Sequence, residues 1–396
     1  MSSTSSITDV AALARVSKAT VSRVLSGRRT KDDNIAKRVR DAAEQLNYQA
    51  NSAASALRSD TTNTIGLIMP GPTDPLAARL LAELEPEVNR SGRQLLLGLG
   101  DDQRTQAERI EAMLARRVDG LVVMPPQDAN TAAFLDDYVG MTSLVQAFGH
   151  STSFHVNWVG VDESASMKLM LSHLAEYNAD SIAFLSGNVN SASAAELFAT
   201  LQTSTRVMNL MTEPGWTTFG DNSAKRGYHD VMRLFGDKGN RPNALICATD
   251  DVAIGALMAL NQLGIRVPDE VKVIGSGDSP AAAIADPPLS SILPPCRLIA
   301  HEALRLISVS ASSKHWLPAH TAYPPQLVQR ESTSGPRFGS SDMALPDDES
   351  WKLDVSALSG TNIARKAWIT RLSAFRGGGD SDFPNIYLRF KGLVTK

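Results

Sequence analysis

The chain has 396 residues, 43% hydrophobic and 20% charged, with a formal net charge of -3. That length exceeds one ordinary domain and that composition can bury substantial cores, so two or three compact units are expected. The charge excludes a body with general affinity for nucleic acid, yet residues 1–60 hold ten Lys or Arg against six Asp or Glu, a net of +4. Affinity for phosphate is therefore concentrated at the N-terminal end. The opening MSSTSS lacks the apolar core of a secretory signal, and no apolar run is long enough to span a bilayer. A cytoplasmic, nucleoid-associated protein is expected.

The first helical pattern runs from Thr8 to Arg15, with Val10, Ala11 and Ala14 on one face and Thr8 able to cap the free amides. The second runs from Lys18 to about Leu25, with Ser17 as its N-cap and Ala19, Val21, Val24 and Leu25 available to pack inward. A connection as short as Val16-Ser17 forces a steep crossing, the helix-turn-helix arrangement. Lys18, Ala19 and Thr20, with Arg23 one turn later, then face whatever the motif touches, as a recognition helix faces the DNA major groove. A third pattern, Asp32 to Leu46, places Ile35, Val39, Ala42, Ala43 and Leu46 at helical spacing and closes a three-helix core.

ITDVAALA, SKATVSRVLSG and NYQANSAASALRS, followed by NTIGLIMP, resemble the lactose-repressor (LacI/GalR) family of transcription regulators. The resemblance implies a DNA-binding headpiece and hinge over residues 1–60. It assigns base edges to Lys18, Ala19 and Arg23, phosphates to Thr20 and Ser22, and further DNA contacts to Thr8, Ser17, Asn51 and Ala54. Leu57 becomes an apolar wedge in the minor groove. Three positions depart from the family: Arg15 stands where Gly is usual at a positive-φ turn, Ala50 where Pro is usual, and Ser55 where Arg is usual.

From Thr62 onward short apolar runs alternate with helical patterns: TIGLIMP, QLLLGLG and DGLVVMPP, later SIAFLSG, ALICATD and VKVIGSGD. Strands alternating with helices give parallel sheets covered on both faces, and two such units suggest two lobes with a cleft. The resemblance agrees, implying over residues 61–332 a two-lobed, periplasmic-binding-protein-like α/β effector domain. The expected fold is thus an all-α helix-turn-helix headpiece plus this α/β body.

Ligands bind such sheets at the carboxyl ends of their strands, which selects Thr73 and Asp74, Gln127, Asn190, and Asp250. By resemblance Asp250 matches the family's effector-contacting acid; its bland alternative is an N-cap for the helix DVAIGALMAL. Family members often carry an effector-gripping Arg in the stretch GNVNSASAAELFATL, where Ala195 and Leu197 stand instead, and no Arg occurs between Arg117 and Arg206. GSGD (Gly275 to Asp278) lacks the Lys and Ser/Thr of a nucleotide loop. Cys247 and Cys296 have no metal-ligand spacing and read as reduced, structural thiols. No metal, cofactor or catalytic group is expected.

Residues 333–396 read as a linker, SGPRFGSSDMALPDDES, and an extension of unassigned role with one possible helix and no leucine heptad. The expected function is a sequence-specific repressor, acting as a homodimer on double-stranded operator DNA and controlled by a sugar or sugar acid. The alternatives are a purine-like ligand, a lost effector response, and, remotely, a solute-binding protein.

Overall fold

Three short helices open the chain in the computed structural model, which describes residues 5–25, 31, 33–48, 61–126, 131–149, 153–236, 239–312 and 316–335. Helix α1 (Ile7–Ala14) starts at Ser6 and not at Thr8. The Ser6 hydroxyl accepts from the Asp9 amide while the Asp9 carboxylate accepts from the Ser6 amide at 2.8 Å, a reciprocal box that satisfies two orphan donors. Thr8 lies inside the first turn, exposed. Arg15 ends α1 at φ 54°, in the left-handed region where Gly is cheapest.

Helix α2 (Lys18–Leu25) follows at once, with the Ser17 hydroxyl accepting from the Thr20 amide at 3.2 Å. Helix α3 (Asn34–Gln45) is capped by Asp33, which accepts from the Ile35 and Ala36 amides. Val10, Val21 and Val39 are fully buried at the centre, joined by Ala11, Ala14, Ala42 and Ala43. Each such valine contributes roughly 1.5–3 kcal/mol, a large share for so small a core. Ala19 does not pack inward as its spacing suggested; it is exposed, because α2 turns only Val21 fully to the core.

The body holds two six-stranded sheets, each with helices on both faces. The first, in order β11-β5-β4-β3-β1-β2, is parallel throughout. Its strands are β1 (Thr64–Met69), β2 (Gln94–Leu99), β3 (Gly120–Val123), β4 (Ser143–Ala147), β5 (Asn157–Val161) and β11 (His320–Tyr323). The helices that follow β1, β2 and β3 are α4 (Pro75–Arg90), α5 (Gln103–Ala115) and the short α6 (Thr131–Asp136).

The second sheet runs β12-β10-β9-β8-β6-β7, parallel except for the antiparallel pair β10 and β12. It comprises β6 (Ile182–Leu185), β7 (Thr217–Thr218), β8 (Ala244–Cys247), β9 (Lys272–Ser276), β10 (Ser290–Leu293) and β12 (Gln326–Val328). Its helices are α7 (Glu163–Glu176), α8 (Ala192–Val207), α9 (Ala224–Gly236), α10 (Asp250–Gln262) and α11 (Pro280–Ile284). Near-continuous apolar runs such as Ala244–Cys247, buried at every position, are what a strand covered on both faces requires.

The lobes are not successive halves of the chain. After β10 the chain returns to the first lobe, where α12 (Cys296–Ser312) packs Ile299, Ala300, Ala303 and Ile307 into the core of Ile65 and Leu67, and β11 pairs with β5. It then crosses back for β12 and a last turn, α13 (Glu331–Ser334). Three connections therefore join the lobes, after β5, β10 and β11. Periodicity alone does not reveal this interleaving. Gly227 and Gly255 bring α9 and α10 into backbone contact, since a Cβ at either would strike the other helix's main chain. That contact fixes the start of α10.

The end of the body is locked by buried hydroxyls. Ser332 donates to the Val273 carbonyl at 2.6 Å and accepts from the Ser290 amide at 2.8 Å, while Thr333 pairs with Ser290 at 2.6 Å and His173 at 2.8 Å. Burial holds the His173 imidazole below its ordinary pKa, so it sits here as a neutral partner. The chain divides into two units between Pro336 and Arg337. The hinge positions Ala50, Asn51, Ala54, Ser55 and Leu57, the candidate Gln127, and the C-terminal extension lie outside the described residues.

Candidate functional site

The first candidate surface is the outer face of α2. Lys18, Ala19 and Arg23 are exposed, and Thr20 and Ser22 are half-buried. With Val21 anchored inward and Val24 and Leu25 packed against the same core, the exposed face is fixed in direction. Ser17 and Thr20 share a hydroxyl hydrogen bond of 2.9 Å at the start of α2. A short rigid helix with two cationic side chains on its free face can enter a DNA major groove, where Arg reads guanine edges and Lys meets phosphate or base.

The second site is a cleft of about 410 Å³ walled by both sheets' strand ends. β1 delivers Gly71, Thr73 and Asp74; β6 delivers Gly187; β8 delivers Thr249 to Asp251; β9 delivers Ser276 and Gly277. Thr73, Asp74 and Asp250 of the expected residues line it. Asn190 does not: it is exposed, its amide bound to the Asn188 side chain at 3.0 Å, and Ser191, Ser193 and Ala194 face the cleft in its place. Ser191 earns its position as N-cap of α8, and the next turn of that helix follows it into the wall.

Asp250 is not the helix cap. Thr249 takes that role, its hydroxyl accepting from the Val252 amide, and frees Asp250 to turn into the interior. There Asp250 is 2% exposed, and its two oxygens accept from the Ser291 hydroxyl and the Ser279 amide, each at 2.5 Å. Burial raises its pKa, and the Ser291 and Ser279 hydrogen bonds pull the other way. Gly275 beside it is obligatory, because a Cβ there would overlap the carboxylate.

The other acids of the wall divide by what holds them. Asp74 caps α4, accepting from the Leu76 and Ala77 amides at 2.8 and 3.0 Å, and Asp101 accepts from the Gly71 amide at 2.8 Å. Glu163 and Asp251 also line the cleft, and neither carboxylate has a hydrogen bond or ion pair among the described residues. Burial pushes the Glu163 carboxyl up to about 8, helped by the negative charges of Glu196 and Asp162. Sequence reading missed Glu163 because it sits at a lobe crossing, away from any recognised strand end. The apolar part of the wall includes Leu76, Phe148, Met170, Phe184 and Leu197. Leu197 thus occupies cleft wall in the stretch where the family resemblance expects Arg.

Cys247 also lines the cleft; like Cys296 it is a free, buried thiol whose pKa burial raises. Among the described residues no three His, Cys, Asp or Glu are grouped to hold a metal, and no helix is long and apolar enough to cross a membrane.

Both parts of the chain have likenesses among known proteins. Residues 6–51 match the family described as bacterial regulatory proteins, lacI family, and residues 171–333 match a periplasmic binding protein-like domain. The HTH-type transcriptional regulator GalR of Escherichia coli (strain K12) is 28% identical over 345 residues, 86% of this chain and 99% of that protein. The HTH-type transcriptional repressor PurR of Aliivibrio salmonicida is 27% identical over 331 residues, 82% of this chain and 98% of that one. In fold the chain is similar to the lac repressor dimer solved with operator and the anti-inducer ONPF, with a TM-score of 0.74 at 23% identity over 83% of this chain and 99% of that one. The chain belongs to the lacI family of bacterial regulatory proteins and is a DNA-binding transcription regulator, not an enzyme.

Proposed function

We propose that this chain is a repressor, acting in the cytoplasm as a homodimer on a near-palindromic operator, whose grip is set by a small molecule held between the lobes. The observation that carries the reading is the pairing, in one chain, of an exposed cationic recognition helix with a polar cleft bounded by two lobes on three connections. Lys18, Ala19 and Arg23 read base edges, and Thr8, Ser17, Thr20 and Ser22 hold the backbone. Asn51, Ala54 and Leu57 extend the footprint across the operator centre. Two headpieces at fixed half-site spacing multiply the discrimination of one.

In the cleft, Asp250, Asp74 and Thr73 orient the effector, and Gln127, four positions after β3 in the sequence, is the further candidate. An effector that binds one lobe arrangement better than the other shifts the population and, through it, the spacing of the headpieces. Such coupling is typically about 1–3 kcal/mol. A sugar remains within this reading and a purine-like base is the alternative; an anionic sugar acid is disfavoured by the five carboxylates of the wall.

The test is selection of duplexes from a random library by the full-length protein, followed by a ligand screen read both by melting temperature and by operator affinity. An enriched near-palindrome, and one ligand that shifts both readouts, support the proposal. Leu197 in place of a guanidinium favours a second reading, loss of effector response. That reading is upheld if operator affinity stays constant with every ligand that stabilises the fold.

A further inference from the structure

The cleft carries charge that the protein itself does not balance. Its described wall contains Asp74, Asp101, Glu163, Asp250 and Asp251, and no Lys, Arg or His. Three of the five acids already accept hydrogen bonds from the fold and offer an effector only their remaining lone pairs. Asp250 ties Ser279 to Ser291, Asp74 caps α4, and Asp101 holds Gly71.

Glu163 and Asp251 are different. Both face the cleft, both are half-buried, and no donor of the described protein reaches either. A half-buried carboxylate without a donor is costly, and in ligand-free proteins such groups take up a proton or wait for a cation. The negative charges of Glu196 of α8 and of its own neighbour Asp162 both act on Glu163, and Asp250 and Asp251 share the cleft wall with it. A metal ion is not the match, since no three metal ligands converge among the described residues. The apolar stretch of wall from Leu76 and Phe148 to Leu197 asks instead for carbon.

We infer that the cleft binds an organic cation, an ammonium or amidinium group on a partly apolar body, with Glu163 and Asp251 as its carboxylate anchors. The inference rests on the reading of the cleft as the effector site and narrows the class of effector. Its physics is charge complementarity in a partly desolvated site, where an ion pair gains more than in water. Binding is linked to protons. Glu163, raised to about 8 without ligand, ionises against the cation, so at neutral pH one proton leaves as the cation enters. Affinity therefore rises by roughly fiftyfold from pH 6 to pH 8 and levels off above.

The test uses the full chain and two matched triads that differ only in the charge of one group: glucamine, sorbitol and gluconate, and tryptamine, tryptophol and indole-3-acetate. At roughly 1 mM, a cationic member raises the melting temperature and the carboxylate members do not. Calorimetry of that cation in phosphate and in HEPES gives different heats, reporting proton release near neutral pH. Glu163→Gln removes the proton release and the pH dependence and lowers affinity at least tenfold, while Asp251→Asn lowers affinity and keeps the proton release. Both variants are checked for an unchanged or higher ligand-free melting temperature.

Stabilisation by sorbitol, gluconate, tryptophol or indole-3-acetate equal to that of the amine overturns the cationic class. If that stabilisation is lost in Thr73→Trp, which fills the cleft mouth, the cleft is still an effector site and only the ligand class is wrong. Absence of binding by both amines overturns the inference, and the wider screen described above then decides the fate of the cleft itself. Binding of a cation with unchanged affinity in both carboxylate variants places the cation elsewhere and overturns it as well.

Discussion

Arg79 of the first lobe reaches Asp278 of the second: its guanidinium donates to the Asp278 carbonyl and lies 3.7 Å from the carboxylate. Arg330 holds the same carboxylate from the other side at 2.6 Å and also donates to the Leu289 carbonyl at 2.7 Å. Asp278 sits at φ 45°, a conformation that costs about 1 kcal/mol or more for a non-Gly residue. The two arginines offset that cost. One pair within the second lobe thus presents a carboxylate and a carbonyl to a side chain of the first, and the lobes are tied in this arrangement.

Removing one end of this tie frees the lobes without emptying the second lobe's own pair. Arg79→Ala lowers the melting temperature by about 2–4 °C, the effect of roughly 1 kcal/mol on a body of this size. Asp278→Ala loses more, because Arg330, only 19% exposed, is left with an uncompensated charge. Scanning calorimetry of both variants checks the order; an Arg79 variant as damaged as the Asp278 variant would show that the second lobe's pair depends on the crossing contact.

The turn of the helix-turn-helix offers a gain. Arg15→Gly places the residue with no Cβ at φ 54° and stabilises the three-helix unit by about 0.5–1 kcal/mol. Hydrogen exchange of the Val10 and Val21 amides reads this directly. Slower exchange is expected in the variant, and faster exchange would mean that Arg15 makes a side-chain contribution larger than its backbone cost.

The proposed base reading by Arg23 is separable by experiment from phosphate binding. Arg23→Ala costs about 1–3 kcal/mol on the selected operator and little on random duplex. Lys18→Ala, at a residue likewise proposed to read a base edge, also loses affinity mainly on the operator; equal loss on both duplexes with a salt dependence flatter by about one counterion would make Lys18 a phosphate contact. Titrations of both duplexes at two salt concentrations distinguish the two outcomes for each residue.

The short connection that sets α2 against α1 and the strand ends of the cleft were legible in the residues, and the reasons are local. Val10, Val21 and Val39 each lie in a stretch with apolar residues at helical spacing, and β1, β6 and β8 are short, largely apolar runs. What was not legible depends on contacts distant in sequence. The Ser6–Asp9 box competes with Thr8 for the start of α1, and only geometry decides between them. β11, HTAY, has no apolar run and becomes a strand because β5 supplies an open edge. Asp250 and Asn190 both stand at strand ends, yet one turns inward through Ser279 and Ser291 and the other turns to solvent.

The REST segment marks where the body is complete. Arg330, Ser332 and Thr333 are bonded into the second lobe, and the division of the chain falls after Pro336. A chain ending at Pro336 therefore folds, dimerises and binds operator within threefold of the full chain. Sedimentation and a gel-shift check this; a monomeric or insoluble product would assign residues 337–396 to the assembly.

Glu163 makes the ligand-free fold sensitive to pH in one direction. Unfolded, the carboxyl ionises near its ordinary value of 4.5; folded, burial and the charges of Glu196 and Asp162 hold its proton up to about 8. Between those values the unfolded chain binds fewer protons, so stability falls as pH rises from about 4.5, and the decline ends once the folded carboxyl ionises near 8. Glu163→Gln abolishes this contribution: its melting temperature overtakes that of the wild type as pH rises, with the gap widening up to pH 8 and constant above. Taking the difference between variant and wild type at each pH cancels the other titrating groups. A gap that stays constant from pH 5 to pH 8 would mean that Glu163 ionises normally in the fold, and its carboxylate would then be satisfied by water in the open cleft.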